Sequence, residues 1–297
     1  MLTISQNIIL NETLQTFQVG AASIHARVVD KKEDGKTAIY IHGGGSGGNH
    51  TMLLRPAKWM IEKGLFSKMI LPDRRGEGLS SPLTNKLTIK DHALDMKGLL
   101  DALGIKEKVT AIGLSYGGPI ALTLASIDHR IDEVILMASS PSLDEAKGFS
   151  GFLYSHNMLE PVVKIFYKLN LGKKELRYPN FENVYDVESE KDLIKLFTDA
   201  IKQTDKKMYE SLIFQNASTL DKNNSSITKD ISLDIPIYQV IGEQDEIWET
   251  DISSYKKRFP NLISTKISGA NHKASLIRAS EFYEAFLKIY RMEDITT

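Results

Sequence analysis

A serine set between glycines is the pattern in this chain that most directly suggests chemistry. Residues 113–118 read GLSYGG, with the apolar run Val109–Ile112 directly before them and a helical pattern, Pro119–Ile127, directly after. A sharp turn from strand to helix can hold Ser115 clear of a sheet only if the positions two residues away on each side lack side chains. The pattern therefore predicts that Ser115 is a nucleophile of the G-x-S-x-G type, at the end of a strand.

A serine hydroxyl needs a base to take its proton and an acid to orient that base. Of the seven histidines, His272 is the candidate base, because it lies in a loop after the last apolar run and open α/β sheets place their sites at the carboxyl ends of strands. His42 begins a glycine run and is expected to brace that run by hydrogen bonding. We interpret the other histidines as surface or packing residues: His25, His50, His92, His129 and His156.

The acid that orients the base is predicted to be Asp245. It follows the run Ile237–Ile241, and the short turn between them can aim a carboxylate toward the His272 loop. The alternatives are Glu243, Glu246 and Asp144.

A glycine-rich loop supplies candidate donors for the oxyanion that forms when a serine attacks a carbonyl. Residues 42–48 read HGGGSGG and follow an apolar run, which leaves bare backbone amides beside the expected site. We expect the two donors to be the N–H groups of Gly44 and Tyr116, with Gly45 as a substitute for the first. The run matches neither of the common phosphate-binding glycine patterns, which argues against nucleotide binding.

Strands and helices must position these residues. Short apolar runs that alternate with longer helical stretches indicate where these strands and helices lie. Residues 15–29 hold two β-type runs around a turn, which predicts an antiparallel start. Helical spacing is clear in Asp91–Leu103 and again in Ala274–Tyr290. The later strands are predicted at Thr37–His42, Lys68–Pro72, Val109–Gly113, Val134–Ser139, Ile237–Ile241 and Leu262–Ile267. This alternation predicts an α/β fold with a mostly parallel, doubly wound sheet.

The alternation stops between about residues 141 and 234, where helical patterns continue without a convincing strand. We therefore predict a core formed by residues 1–140 and 233–297, and an inserted helical cap, or lid, formed by residues 141–232. The segment holds 11 of the 24 aromatic residues. These aromatics form the small core of a helical subdomain, a lid over an apolar pocket, or both.

Composition excludes several classes of function. With 37 basic and 38 acidic residues among 297, the chain lacks the basic excess of a nucleic-acid-binding protein. It has no cysteine, which excludes thiolate nucleophiles, disulfides and Cys-ligated metals. Residues 1–20 lack the pattern of an export signal, and no apolar stretch approaches the roughly 18 residues of a membrane-spanning helix. We expect a cytoplasmic protein that acts on a small molecule; its oligomeric state is left open.

Taken together, these motifs resemble the α/β-hydrolase superfamily, in particular its capped, single-domain serine hydrolases of the esterase and proline-iminopeptidase branch. Residues 73–80, DRRGEGLS, look like the D-x-R-G-x-G-x-S loop that follows the fourth strand in that superfamily. The chain order of Ser115, Asp245 and His272 is also similar. The resemblance implies a sheet of about eight strands, a cap inserted after the sixth, and hydrolysis of an ester, thioester, amide or related bond without a metal or organic cofactor.

Departures from related families narrow this resemblance. Haloalkane dehalogenases carry aspartate where this chain has Ser115, so that chemistry is not expected. Proline iminopeptidases have H-G-G-P-G, and the proline is replaced here by Gly45. Hormone-sensitive-lipase-like esterases share H-G-G-G, but their G-D-S-A-G-G motif differs from residues 113–118.

The leading hypothesis is a serine hydrolase that cleaves a small, mostly apolar carboxylic ester, or a related acyl bond, through an acyl-enzyme. In it Ser115 attacks, His272 relays the proton and Asp245 holds the imidazole. One alternative is an aminopeptidase or amidase, which needs a carboxylate in the cap to bind the substrate amine. Another is a non-catalytic, hydrolase-like protein that binds a ligand in the same pocket.

Overall fold

The computed structural model of the chain describes residues 2–4, 9–44, 48–142, 179–203 and 229–293, together with positions 161, 165, 211 and 227. This part of the chain is organised around an eight-stranded sheet with the order β1-β2-β4-β3-β5-β6-β7-β8. The strands are β1 (Asn11–Val19), β2 (Ala22–Asp30), β3 (Thr37–Ile41), β4 (Lys68–Pro72), β5 (Val109–Leu114), β6 (Ile131–Met137), β7 (Ile237–Gly242) and β8 (Leu262–Ile267).

The strand directions confirm the predicted fold class. β1 runs antiparallel to β2, and β2 runs antiparallel to β4. Every other neighbouring pair in the sheet is parallel. The parallel strands therefore end at one edge of the sheet, where the loops that follow them meet.

Helices cover both faces of the sheet. The described α-helices are α1 (His50–Glu62), α2 (Ile89–Ala102), α3 (Gly117–Ile127), α4 (Glu190–Gln203), α5 (Ala274–Ile277) and α6 (Ala279–Glu293). Side chains alternate along β3, so Ala38 and Tyr40 join a core with α1 and α6, whereas Ile39 and Ile41 join a second core with α2 and α3. All five residues of β3 are buried, as expected of a central parallel strand.

The beginning of β6 differs from its prediction. The sequence predicts a strand over Val134–Ser139, but the strand runs over Ile131–Met137. Glu133 is tolerated inside it because its Oε1 accepts hydrogen bonds from the hydroxyls of Thr110, at 2.7 Å, and Tyr290, at 3.0 Å. Partners distant in sequence thus satisfy a buried carboxyl group.

The last helix also differs from its prediction as a single helix over Ala274–Tyr290. Arg278, at φ −109° and ψ 35°, separates α5 from α6. The change of direction allows α6 to pack on β7 and β8 while α5 contacts the 3₁₀ turn at Glu182–Asp186.

Only part of the predicted cap lies within the described residues. There, a 3₁₀ turn at Glu182–Asp186 leads to the amphipathic helix α4. Leu193 and Phe197 of α4 pack against the same core as α1 and α6. The position of this segment between β6 and β7 is compatible with the predicted insertion, whose boundaries at 141 and 232 stay predictions. None of the helices in the described ranges has the length and apolar character needed to cross a membrane.

Candidate active site

The residues predicted to carry chemistry meet at the carboxyl edge of the parallel strands. Ser115 directly follows β5, Asp245 follows β7, and His272 follows β8. Gly43 and Gly44 follow β3, the strand next to β5 in the sheet. Ligand sites in open α/β sheets occupy this edge.

Ser115 is held in a backbone conformation that side chains seldom adopt. Its φ is +50°, in the left-handed region. Its N–H donates to Met137 O at 2.9 Å, and its carbonyl accepts from the Ser139 hydroxyl at 2.6 Å. These bonds to the end of β6 and the residues after it hold the turn in a strained form.

The glycines on either side of Ser115 are required by close backbone approaches. A Cβ at Gly113 would overlap the backbone of Gly117 and Gly118. A Cβ at Gly117 would overlap the carbonyl of Ile41 at the end of β3. The turn can therefore pack between neighbouring strands only with hydrogen at these two positions.

Ser115, His272 and Asp245 form a continuous hydrogen-bonded chain. The Ser115 hydroxyl lies 2.9 Å from His272 Nε2, and His272 Nδ1 lies 2.9 Å from Asp245 Oδ2. Because an ionised Asp245 is an acceptor, Nδ1 carries the ring proton and Nε2 accepts from the serine. This geometry lets the ring take a proton from Ser115.

Asp245 is fixed in place by its own neighbours. Its other oxygen, Oδ1, accepts the backbone N–H groups of Ile247, at 2.9 Å, and Trp248, at 3.0 Å. The carboxylate side chain is fully buried, whereas the His272 side chain is 16% exposed. A buried carboxylate with every oxygen bonded can hold an imidazole in one tautomer and one orientation.

The alternative acids make other contacts. Glu243 Oε2 accepts from the Ser268 hydroxyl and the Gly269 N–H, both at 3.0 Å. Glu246 Oε2 accepts the backbone N–H of His272 at 3.0 Å and does not contact its ring. Asp144 lies outside the described residues.

A cavity of about 320 Å³ opens beside Ser115 and His272. Gly43, Gly44 and Lys273 are among the residues that line it. Its apolar walls come from α1, β5, α4 and α5, through Met52, Leu114, Leu193, Ile194, Phe197 and Leu276. The cavity is suited to a small, mostly apolar group held next to the serine hydroxyl.

The predicted oxyanion donors occupy different environments. Gly44 lines the cavity, whereas Gly45, its predicted substitute, lies outside the described residues. Tyr116 follows the serine at the N-terminus of α3, and its side chain is fully buried. The Arg74 guanidinium stacks over the Tyr116 ring at 4.9 Å.

His42 braces the glycine loop through both ring nitrogens. Its Nε2 accepts the Arg74 N–H at 3.0 Å, and its Nδ1 lies 2.9 Å from Gly43 O. Burial, reinforced by the charge of Arg74, lowers the pKa of His42 to about 3. The ring is therefore neutral at physiological pH, and its 3.6 Å approach to Glu77 is not an ion pair.

Among the described residues, one group of side chains of metal-ligating type lies close together: His25, His50 and Asp73, with candidate ligand atoms within 4.8 Å of one another. Asp73 Oδ1 accepts the backbone N–H of His50 at 2.7 Å and faces its Nδ1 at 3.0 Å. Asp73 Oδ2 accepts the Leu79 N–H at 2.9 Å. The bonds between Asp73 and His50 account for the proximity of these two residues, His25 Nδ1 pairs with the Thr16 hydroxyl at 2.8 Å, and we assign the group no metal.

The structure adds residues that the sequence analysis missed. The Trp248 indole N–H points to the Ser115 hydroxyl oxygen at 3.4 Å. Glu190, on α4, accepts from Asn271 at 2.5 Å and from Lys273 at 3.1 Å, on either side of His272. The short distance from Asp245 to Trp248 along the chain could have suggested that Trp248 lies near the site. Nothing local in the sequence marks Glu190.

Comparison with known proteins places this arrangement in a family. The family model described as alpha/beta hydrolase fold matches residues 39–279, which is most of the chain. The chain belongs to the α/β-hydrolase family. It is a hydrolase of that family, as the sequence analysis predicts. No curated protein matches the chain.

Solved α/β structures have the same fold as this hydrolase at low sequence identity. The 2-hydroxy-6-oxo-6-phenylhexa-2,4-dienoate hydrolase of Rhodococcus sp. strain RHA1 is 19% identical, with a TM-score of 0.69, and the match covers 95% of this chain and 100% of that one. A thermophilic esterase from Thermogutta terrifontis is 19% identical, with a TM-score of 0.63 and coverage of 95% and 98%. The enol-lactonase of Burkholderia xenovorans LB400 is 18% identical, with a TM-score of 0.63 and coverage of 93% and 100%.

Proposed function

We propose that this α/β-hydrolase is a serine hydrolase that cleaves a small, mostly apolar carboxylic ester, or a related acyl bond, through an acyl-enzyme. The observation that carries the proposal is the chain of 2.9 Å contacts from Ser115 through His272 to Asp245, at the side of an apolar cavity. A serine that bonds a histidine, which in turn bonds an aspartate, is the arrangement of a nucleophile, a base and an orienting acid.

In the proposed reaction, Ser115 Oγ attacks the substrate carbonyl carbon while its proton passes to His272 Nε2. Asp245 stabilises the imidazolium that results and keeps its ring oriented. The carbonyl oxygen becomes an oxyanion that accepts hydrogen bonds from the N–H groups of Gly44 and Tyr116. His272 then donates its proton to the leaving alcohol, and a water molecule, activated in the same way, releases the acid and restores the Ser115 hydroxyl.

The cavity lining supports an ester over a peptide with a free amino terminus. Its described walls are apolar and include the cation Lys273, and none of the described lining residues is a carboxylate. Among these described lining residues, a substrate ammonium group would find no counter-charge. For this reason we favour an esterase over the aminopeptidase alternative.

The strained serine argues against the ligand-binding alternative. A left-handed serine costs about 1–3 kcal/mol, and a pocket that only binds a ligand gains nothing from it.

A substrate screen with purified protein tests the proposal. We expect hydrolysis of p-nitrophenyl acetate and butyrate, with little cleavage of aminoacyl naphthylamides. Ser115→Ala and His272→Ala should each lower kcat by several orders of magnitude, as in other triads. Ester hydrolysis that persists in Ser115→Ala would overturn the mechanism, and preferential naphthylamide cleavage would favour the aminopeptidase.

A further inference from the structure

The carbonyl of Gly43 is held by two donors on the side of the loop away from the cavity. His42 Nδ1 lies 2.9 Å from Gly43 O, and Arg74 Nη2 donates to the same oxygen at 2.7 Å. His42 and Arg74 are both fully buried. Both lone pairs of this carbonyl are thus occupied by buried side chains.

The protonation of His42 follows from its other partner. The backbone N–H of Arg74 can only donate, so His42 Nε2, 3.0 Å away, is an acceptor. A neutral imidazole with an accepting Nε2 carries its proton on Nδ1. His42 therefore donates to Gly43 O, as Arg74 does.

The orientation of the next amide follows from this arrangement. In a trans peptide the C=O and N–H bonds point in opposite directions, and no peptide among the described residues is cis. When the Gly43 carbonyl points to His42 and Arg74, the Gly44 N–H points away from them. Gly44 lines the cavity, and a Cβ placed on Gly43 would lie 3.1 Å from Ser115 Cβ, so this peptide sits directly against the nucleophile.

We propose that Arg74 is a positioning residue that holds the Gly43–Gly44 peptide with its N–H directed at the oxyanion. The proposal rests on the proposed function, because it assumes that Ser115 attacks a carbonyl. Arg74 contacts neither substrate nor Ser115; it acts through the Gly43 carbonyl.

The chemistry of the side chain suits this position. A guanidinium presents several donors in a rigid plane, so one group can bind a backbone carbonyl and a carboxylate together. Arg74 Nη2 also bonds Glu77, and its guanidinium stacks on Tyr116, the residue expected to supply the second donor. Arg74 thus links both sides of the predicted oxyanion site.

Glycine at positions 43 and 44 makes such a restraint necessary. A Gly–Gly peptide rotates at little steric cost, and the flipped peptide would present a carbonyl oxygen to the cavity in place of an N–H. That orientation would repel an oxyanion. Loss of Arg74 alone would also leave the buried Glu77 carboxyl without its partner, which destabilises the fold, so a variant that removes both residues is needed to separate the two effects.

Arg74→Met tests the proposal, with Arg130→Met as the matched control. Arg130 is also a buried arginine that pairs with a carboxylate, Asp128, and donates to a backbone carbonyl, Ile105 O, at 2.8 Å. It precedes β6, at the opposite end of the sheet from Ser115. We expect Arg74→Met to lower kcat for p-nitrophenyl acetate about 10- to 100-fold, with KM changed less than about threefold. The loss should be smaller than the roughly 100- to 1000-fold that removal of one oxyanion donor costs, because Arg74→Met leaves the Gly44 N–H in place and removes only a restraint on its direction. Arg130→Met should keep kcat within about twofold.

Binding of butylboronic acid provides a second readout. Its tetrahedral adduct with a serine places an oxygen in the oxyanion site, so Arg74→Met should raise its inhibition constant by about the factor by which kcat/KM falls. Arg74→Lys, which keeps one charged donor, should recover part of both losses. A loss that appears in KM alone, or an unchanged inhibition constant, would overturn the proposal.

A double variant separates positioning from folding. Arg74→Met/Glu77→Met removes both members of the buried pair, so that neither is left unpaired. We expect its Tm to be close to that of the wild type and its kcat to be as low as that of Arg74→Met; a wild-type kcat would overturn the positioning role. If the wild type neither hydrolyses the ester nor binds the boronic acid, the proposed function is wrong. If the wild type is active and Arg74→Met is equally active, only the positioning role of Arg74 is wrong.

Discussion

Ser115 combines a costly backbone conformation with bonds that maintain it. Left-handed residues other than glycine cost about 1–3 kcal/mol and persist where their surroundings enforce them. Here Met137 and Ser139 bind the Ser115 backbone from the end of β6 and the residues after it. These bonds hold the Ser115 side chain where its hydroxyl lies 2.9 Å from His272 Nε2.

Asp245 sets the tautomer of His272 through its bond to Nδ1. In Asp245→Asn the amide can donate to His272 Nδ1, which favours the tautomer with its proton on Nε2, where it cannot accept from Ser115. We expect kcat for p-nitrophenyl butyrate to fall about 10³- to 10⁴-fold, with little change in KM. Steady-state kinetics at neutral pH measures both.

Glu243→Gln is the control for that change. Its carboxylate is two residues from Asp245 but bonds to Ser268 and Gly269. Its kcat should stay within about twofold of the wild type. If the two variants lose activity equally, Asp245 does not have the role proposed here.

Single residues could be predicted when their signal was local in the sequence. Ser115 and His272 follow runs that read as strands, so their approach could be expected from the sheet alone. The contacts of Arg74 and Trp248 could not be predicted in the same way, although Arg74 lies in the motif at 73–80 and Trp248 lies three residues after Asp245. Their importance comes from what they contact, a carbonyl 31 residues away and a hydroxyl 133 residues away.

At the scale of elements, α4 joins the cavity wall to the loop that carries His272. Leu193, Ile194 and Phe197 of α4 line the cavity. Glu190, at the start of α4, bonds Asn271 and Lys273. One exposed carboxylate thus links the start of α4 to the loop that carries His272.

Glu190→Ala should weaken substrate binding more than chemistry. His272 retains its bonds to Asp245 and Glu246, so kcat should be nearly unchanged. Exposed ion pairs contribute about 0.2–1 kcal/mol, so we expect KM for p-nitrophenyl butyrate to rise up to about fivefold.

Thr88→Ala controls for a general loss of stability. Thr88 caps α2 in a capping box with Asp91, and loss of such a cap costs about 1 kcal/mol. This variant should lower Tm and leave KM unchanged. An equal rise of KM in both variants would show that α4 has no particular link to binding.

The elements could be predicted where one pattern dominated, as in β3, β4 and β8. The prediction was wrong for the start of β6, because the partners that satisfy Glu133 are remote in sequence. It was also wrong for the last helix. The break at Arg278 accompanies packing against the sheet, and no helix-breaking residue marks it in the sequence.

At the scale of the whole molecule, the core encloses histidines that must stay neutral. His92 is fully buried on α2, packs edge-on against Tyr116, and has no hydrogen-bond partner for either ring nitrogen among the described residues. Burial, followed by the charge of Arg74, lowers its pKa well below the ordinary histidine value. His42 behaves in the same way, with its pKa at about 3.

These shifts set the direction of acid destabilisation. The unfolded chain binds protons at these histidines below about pH 6.5, whereas the folded chain does not. Their contribution to stability is complete above that pH and is lost as the pH falls toward the folded-state pKa values. In this pH range, each histidine changes the free energy of unfolding by up to about 1.4 kcal/mol per pH unit.

His92→Leu should therefore stabilise the protein, and more so in acid. We expect a higher free energy of unfolding at pH 7.5, because an unbonded buried ring is removed. The difference should grow between pH 6.5 and pH 5. Urea unfolding at several pH values measures this, with His129→Gln, at an exposed position, as the control. A pH dependence identical to that of the wild type would contradict the account.

Labelling with a fluorophosphonate probe tests whether Ser115 is a nucleophile activated by His272. The probe is reacted with the wild type, Ser115→Ala and His272→Ala, and the modified residue is mapped by mass spectrometry. We predict a single adduct on Ser115 in the wild type, none in Ser115→Ala, and labelling slowed by orders of magnitude in His272→Ala. A wild type that stays unlabelled, or labelling at Ser115 that is as fast without His272, would contradict the account.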